Sequence, residues 1–210
     1  MRELVLQVSG LSLDGYIAVD DTEFGRLCDD MADDVRDEWM AESLRHAGIH
    51  AMGRVTYESM ARHWPSADSV FAEPMNRIPK VVFSRTLDRA DWTESSIVRG
   101  DTRTEMDTLK GQDGSIIVAH GGAKFMQSLT RLGIVDEYRL IVYPIAVGTG
   151  SPLFADLEQP QRLDLVDSAT FPLASWRWCT GAPPHEQSLL AHVRHPAEHA
   201  RARAPAPDRG

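Results

Sequence analysis

Short apolar runs rich in β-branched residues alternate with longer stretches whose apolar positions recur every three or four residues, and this alternation holds from residue 3 to residue 132. The first pattern marks buried strands and the second marks helices with one buried face. It predicts strands over 3–9 (ELVLQVS), 49–52 (IHAM), 80–84 (KVVFS), 96–100 (SIVRG) and 115–122 (SIIVAHGG). It predicts helices over 31–48, where Met31, Val35, Trp39 and Leu44 fall near one face, over 53–64, ended by Pro65, and over 102–111 and 122–132. Residues 10–25 (GLSLDGYIAVDDTEFG) read as a loop full of turn formers. From residue 136 the pattern changes: DEYRLIVYPIAVG, RLDLVDSATF and SWRWCTG read as strands with no helix between them. The alternating WRW puts Trp176 and Trp178 on one strand face, and Trp64 and Trp92 read as packing residues. Parallel crossovers early and hairpin-like strands late predict an α/β fold with a mixed sheet.

Composition narrows the function. The 210 residues, 42% hydrophobic and 25% charged, suit one domain over 1–180, followed by a Pro-, Ala-, Arg- and His-rich tail, 181–210, expected to be mobile. A formal net charge of -9 argues against a general nucleic-acid binder, so an anionic ligand needs local basic residues. Two cysteines, Cys28 and Cys179, make neither a disulfide framework nor a closed metal site. The tail histidines His185, His192, His195 and His199 have no suitable partner for a metal apart from Glu198, so no metal is expected. The chain shows no leader-like run at its start and no apolar stretch near the roughly 20 residues of a membrane span. A reduced, cytoplasmic protein that binds neither membrane nor nucleic acid is expected.

Candidate chemistry gathers at strand ends. Gly121-Gly122 stands where a strand meets a helix, a place where free N–H groups and the positive end of the helix dipole favour an anion. Two glycines there allow positive φ and a close approach of pyrophosphate to the backbone. Gly53, Arg54 and Thr56 follow another strand, and Ser84, Arg85 and Thr86 a third. An arginine beside hydroxyls suits the 2′-phosphate of NADP. No G-x-G-x-x-G follows the first strand, so the dinucleotide fold is not the Rossmann fold.

In order along the chain, SLDGYIA, MGRVTYE, FSRTL, HGGAKFMQSLTRLGIVDEYRL and YPIAVGTGSPLF resemble the dihydrofolate-reductase-like superfamily. Within it the chain is similar to stand-alone relatives of the C-terminal reductase domain of the bifunctional riboflavin-biosynthesis deaminase-reductase (RibD), over about residues 1–180. The resemblance implies a three-layer fold with a mixed, mostly parallel sheet of about eight strands, NADPH bound across the strand ends, and a homodimer. It places the cofactor on Leu11, Gly53, Arg54, Thr56, Ser84, Arg85 and Gly121, Gly122, Ala123, Lys124 and Phe125. Asp14, Tyr57 and His120 are then the candidates to border a substrate cleft, with Asp14 either holding the first loop or facing the substrate.

Departures from the family bear on substrate. The deaminase zinc motifs are absent. The riboflavin reductases carry a carboxylate where this chain has His120, and an imidazole is not expected to accept hydrogen bonds there as a carboxylate does. Asp33, Asp34, Asp37 and Glu38 crowd the first helix where dihydrofolate reductases place a proton donor, but acids in a first turn also serve as dipole partners, so no donor is assigned. The expected function is NADPH-dependent reduction of a small heterocyclic or carbonyl-like substrate other than dihydrofolate or the riboflavin intermediate. The alternatives are a non-catalytic NADP(H)-binding module and an unrelated phosphate-binding α/β protein.

Overall fold

The computed structural model describes residues 1–19, 22–173 and 175–181. At its centre runs β1 (Leu4–Ser12), in which Leu4, Val5, Leu6, Val8 and Leu11 are all buried. A strand covered on both faces needs apolar residues in succession rather than in alternation, which is why the run 3–9 is so apolar. Gln7 and Ser12 are its buried polar exceptions.

The elements follow as α1 (Glu23–Asp30), α2 (Asp34–Arg45), β2 (Ala47–Gly53), α3 (Arg54–His63), α4 (Ala72–Arg77), β3 (Lys80–Phe83), β4 (Ser95–Val98), α5 (Thr102–Lys110), β5 (Ile116–His120), α6 (Ala123–Arg131), β6 (Glu137–Tyr143), β7 (Asp164–Thr170) and β8 (Trp176–Gly181). The eight strands lie in the order β4-β3-β2-β5-β1-β6-β8-β7. Every pair from β4 to β6 is parallel, and β8 runs antiparallel to both β6 and β7. One face packs Leu6, Val8, Ala119 and Leu140 on Met106 of α5 and on Met126 and Leu129 of α6. The other packs Val5, Met52, Val82 and Val118 on Leu44 of α2, Tyr57 of α3 and Met75 of α4. The result is the expected α/β architecture, an eight-stranded mixed sheet between helices.

The helix predicted over 31–48 is instead shorter and has a partner. Asp33 is extended and its side chain accepts the N–H of Arg36, so the helix starts at Asp34; Val35, expected on the buried face, is 59% exposed. The preceding loop holds α1, started by Thr22, whose side chain accepts the N–H of Gly25. Both starts are side-chain caps, which compete with hydrophobic period in setting a boundary. After α3, Trp64–Ser66 form a 3-10 turn around Pro65. Trp178, on the outer part of the sheet, is 45% exposed, whereas Trp92 is buried. The tail beyond Gly181 and its histidines lie outside the described residues. Among the described residues no helix is long and apolar enough to cross a membrane.

Candidate functional site

The parallel register brings the predicted strand ends together. Gly53 of β2 pairs with Phe83 of β3, so Arg54 and Ser84 leave from adjacent strand ends, and Met52 pairs with His120 of β5. The first residues of α3 and of α6 therefore share one edge of the sheet.

At the β5–α6 turn, Gly121 has φ +74°, and a Cβ there would stand 2.1 Å from Cγ2 of Thr56. Conformation and space both require glycine at this position. Gly122, at φ 0°, starts α6 and donates its N–H to Oγ1 of Thr56 at 2.8 Å. Neither Gly53 nor Gly122 caps its helix with a side chain. The turn thus brings side-chain-free backbone, with Thr56 packed against it, to two helix starts, whose polarity suits an anion.

Around this turn stand the predicted polar groups. Arg54 is half-exposed and pairs with Glu58 one helical turn on, at 3.1 Å. Ser84 Oγ accepts the N–H groups of Thr86 and Leu87 at 3.2 and 2.9 Å, which leaves its hydroxyl hydrogen to donate. Arg85 and Lys124 are exposed, and Phe125 packs on Phe83 with ring centroids 5.2 Å apart. Ala123 opens α6.

Leu11 and Tyr57 lie away from the cleft, and Asp14 takes the first of its two expected roles. Leu11 is buried in the main core, where it pairs with Val142, and Gly10 rather than Leu11 lines the cleft. Tyr57 is 3% exposed in the core of the α2–α4 face, its hydroxyl accepting the N–H of Trp92 at 2.9 Å; an amphipathic helix turns this position inward, away from the cleft. Asp14 is exposed and holds the loop. Its carboxylate accepts from Ser12 Oγ at 2.6 Å, the N–H of Gly148 at 2.7 Å and that of Val147 at 3.2 Å. Chiefly the Ser12 hydroxyl pulls its pKa below the usual carboxylate value.

Beside the turn opens a cleft of about 410 Å³ whose walls include Met40, Ser59, Trp64 and Phe71 and whose floor holds Gln7 and His120. Among the described residues no Asp, Glu, Lys or Arg lines it. His120 Nε2 lies 2.7 Å from His50 Nδ1, and His50 Nε2 lies 3.2 Å from the Pro74 carbonyl oxygen. Burial holds His120 well below the ordinary imidazole pKa and brings His50 down to about 4. Both rings are therefore neutral at pH 7. The sequence reading missed Gln7 and His50. Their signal was a polar residue inside an otherwise apolar strand, which is costly unless it is hydrogen-bonded and so asks for a reason. Among the described residues no cluster of His, Cys, Asp or Glu could hold a metal ion.

A mostly parallel eight-stranded sheet of this order between helices, with a glycine turn and an uncharged cleft at its carboxyl edge, defines the class as a three-layer α/β fold. The chain belongs to the RibD C-terminal domain family, whose profile matches residues 4–173. It is 27% identical to the uncharacterized protein YyaP of Bacillus subtilis over 175 residues, covering 81% of this chain and 89% of that one. Its structure resembles that of a Shewanella sp. PV-4 protein assigned to riboflavin biosynthesis, with TM-score 0.69, 20% identity, and 87% and 99% of the two chains covered. It also resembles RibD of Acinetobacter baumannii, with TM-score 0.64 and 18% identity over 87% of this chain and 58% of that one.

Proposed function

We propose that the protein is an NADPH-dependent reductase of a small heterocyclic or carbonyl-like molecule. The observation that carries this reading is the placement of the glycine turn, tied to Thr56 through the Gly122 N–H, directly beside the uncharged cleft that Gly121 and Gly122 both line. When bound, the reduced nicotinamide supplies the hydride. The backbone at Gly121, Gly122 and Ala123 would hold the pyrophosphate. Arg54, Ser84 and Arg85 would take the adenosine phosphate, with Lys124 adding positive charge. Met40, Trp64 and Phe71 would exclude water from the substrate, and an uncharged cleft presents no group that competes for the hydride acceptor.

Titration followed by nicotinamide fluorescence tests the cofactor part: NADPH should bind more tightly than NADH. Steady-state oxidation of NADPH with a panel of small carbonyl compounds and heterocycles tests the rest. Tight NADPH binding with no oxidation by any of them would favour a binding module instead, and no binding of either nucleotide would remove the proposal.

A further inference from the structure

Gln7 and His120 are polar side chains buried on the cleft floor, 6% and 7% exposed. The parallel ladder pairs Leu6 with Ala119, so one residue further along both strands Gln7 and His120 stand side by side. Adjacent strands lie about 4.8 Å apart. Two recognition groups at that spacing can meet two neighbouring atoms on one edge of a small ring.

What each group presents is decided by its own partners. The Pro74 carbonyl can only accept, so His50 Nε2 carries the hydrogen of their 3.2 Å contact. His50 Nδ1 is then an acceptor, and the hydrogen of its 2.7 Å contact sits on His120 Nε2. In a neutral ring this leaves His120 Nδ1 with a free lone pair. That atom has no protein hydrogen bond among the described residues and is not one of their buried orphaned polar atoms, so it opens to the cleft. An imidazole held in this way accepts a hydrogen bond after all, contrary to the expectation from residue type.

Gln7 is fixed from the opposite side. Arg139 Nη1 donates to Ser43 Oγ at 2.6 Å while its Nε donates to Glu137 at 2.7 Å. Ser43 in turn donates its hydroxyl hydrogen to Gln7 Oε1 at 2.8 Å. This is the orientation that leaves the buried Ser43 hydrogen with a partner, and it aims the Gln7 NH2 away from Ser43, toward the cleft Gln7 lines.

We infer that the cleft recognises an uncharged amide-type edge, an N–H beside a C=O, with His120 Nδ1 accepting from the N–H, Gln7 Nε2 donating to the C=O, and His50 as the positioning residue that holds the His120 tautomer. The inference rests on the reading of this cleft as the reductase's substrate site. A carboxylate or phosphate on the reacting ring would meet no cation among the described lining residues. His120 is a recognition group here and not a proton reservoir, since its neutral form is the one burial favours.

Nitrogen-15 spectra of the histidine rings in the full chain test the tautomer without any ligand. In the wild type, His120 Nδ1 should be unprotonated and Nε2 protonated, at pH 7 and unchanged at pH 5.5. His50→Phe should release this preference. His50→Gln, which can still donate to Pro74 and accept from His120, should restore it. The recognition part is read with 2-pyridone and N-methyl-2-pyridone as probes. Only the first should shift the His120 Nδ1 resonance, and it should bind about ten-fold more tightly than its methylated analogue, the worth of one buried hydrogen bond. Gln7→Met should cost 2-pyridone a similar factor. A protonated His120 Nδ1 in the wild type, or equal affinity for the two pyridones, overturns the inference. NADPH titration of the same samples separates the two readings: a lactam preference without dinucleotide binding keeps the amide site and removes the reductase.

Discussion

Thr56 and Gly121, from different strand–helix turns, approach so closely that no side chain fits between them: a Cβ on Gly121 would lie 2.1 Å from Thr56 Cγ2 and 2.5 Å from its Oγ1. The same hydroxyl accepts the N–H of Gly122. Gly121→Ala combines left-handed strain with this clash and should destabilise the fold by about 2–4 kcal/mol. For a chain of this size that lowers Tm by roughly 5–15 °C. Calorimetry on Gly121→Ala, Thr56→Ala and the double variant should show the double costing less than the sum, since Thr56→Ala removes the atoms that clash. Additive losses would mean that the two turns do not share this contact.

Arg54 and Arg85 should set the preference for NADPH over NADH. Charge-assisted contacts contribute about 1.5–3 kcal/mol, so Arg54→Ala and Arg85→Ala should each weaken NADPH binding about ten-fold or more while leaving NADH nearly unchanged. Glu58 holds Arg54 in an exposed pair of the kind worth about 0.2–1 kcal/mol. Glu58→Gln should therefore strengthen NADPH binding by no more than about five-fold, again without effect on NADH. Equal changes for both nucleotides would remove the phosphate role.

Asp14 should act on loop order more than on chemistry. Its carboxylate ties the 12–16 turn to Val147 and Gly148, and Asp14→Ala should speed amide hydrogen exchange at those two residues well before it lowers global Tm. Because the folded pKa lies below the ordinary 3.8, the clamp is fully present above that value and is lost as pH falls below it. Unchanged exchange at Val147 and Gly148 would deny the clamp.

Stability should fall on mild acidification through the buried histidines. Burial lowers His50 from 6.5 to about 4, opposed by its bond to the Pro74 carbonyl and reinforced by the charge of Lys80 on β3; His120 on β5 is its other titratable neighbour. A depressed histidine pKa means the unfolded chain binds more protons between those values, so the stability from His50 is fully present above about pH 6.5 and declines toward pH 4. Thermal melts from pH 7.5 to 4.5 should show a smaller drop in Tm for His50→Gln than for the wild type. Parallel curves would contradict it.

Periodicity and residue type by themselves determined the α/β class, the strand-to-helix alternation up to α6 and the change to helix-free strands after it. They also placed Gly121, Gly122, Thr56, Arg54, Ser84 and Arg85 at strand ends, because glycines and hydroxyls at the close of an apolar run are local signals. Capping lay just beyond that reach: the side-chain caps of Asp33 and Thr22 set helix starts that hydrophobic period did not. The tertiary structure decided what depends on register and on the packed face. Consecutive residues stand about 100° apart around α3, which puts Tyr57 in the core and leaves Thr56 facing the glycine turn. Gln7, His50 and His120 carry no meaning as separate letters, 43 and 70 positions apart. Only the ladder of β1, β5 and β2 lines them up, and only the Pro74 carbonyl and the Ser43 hydroxyl at their far ends decide which of them donates and which accepts.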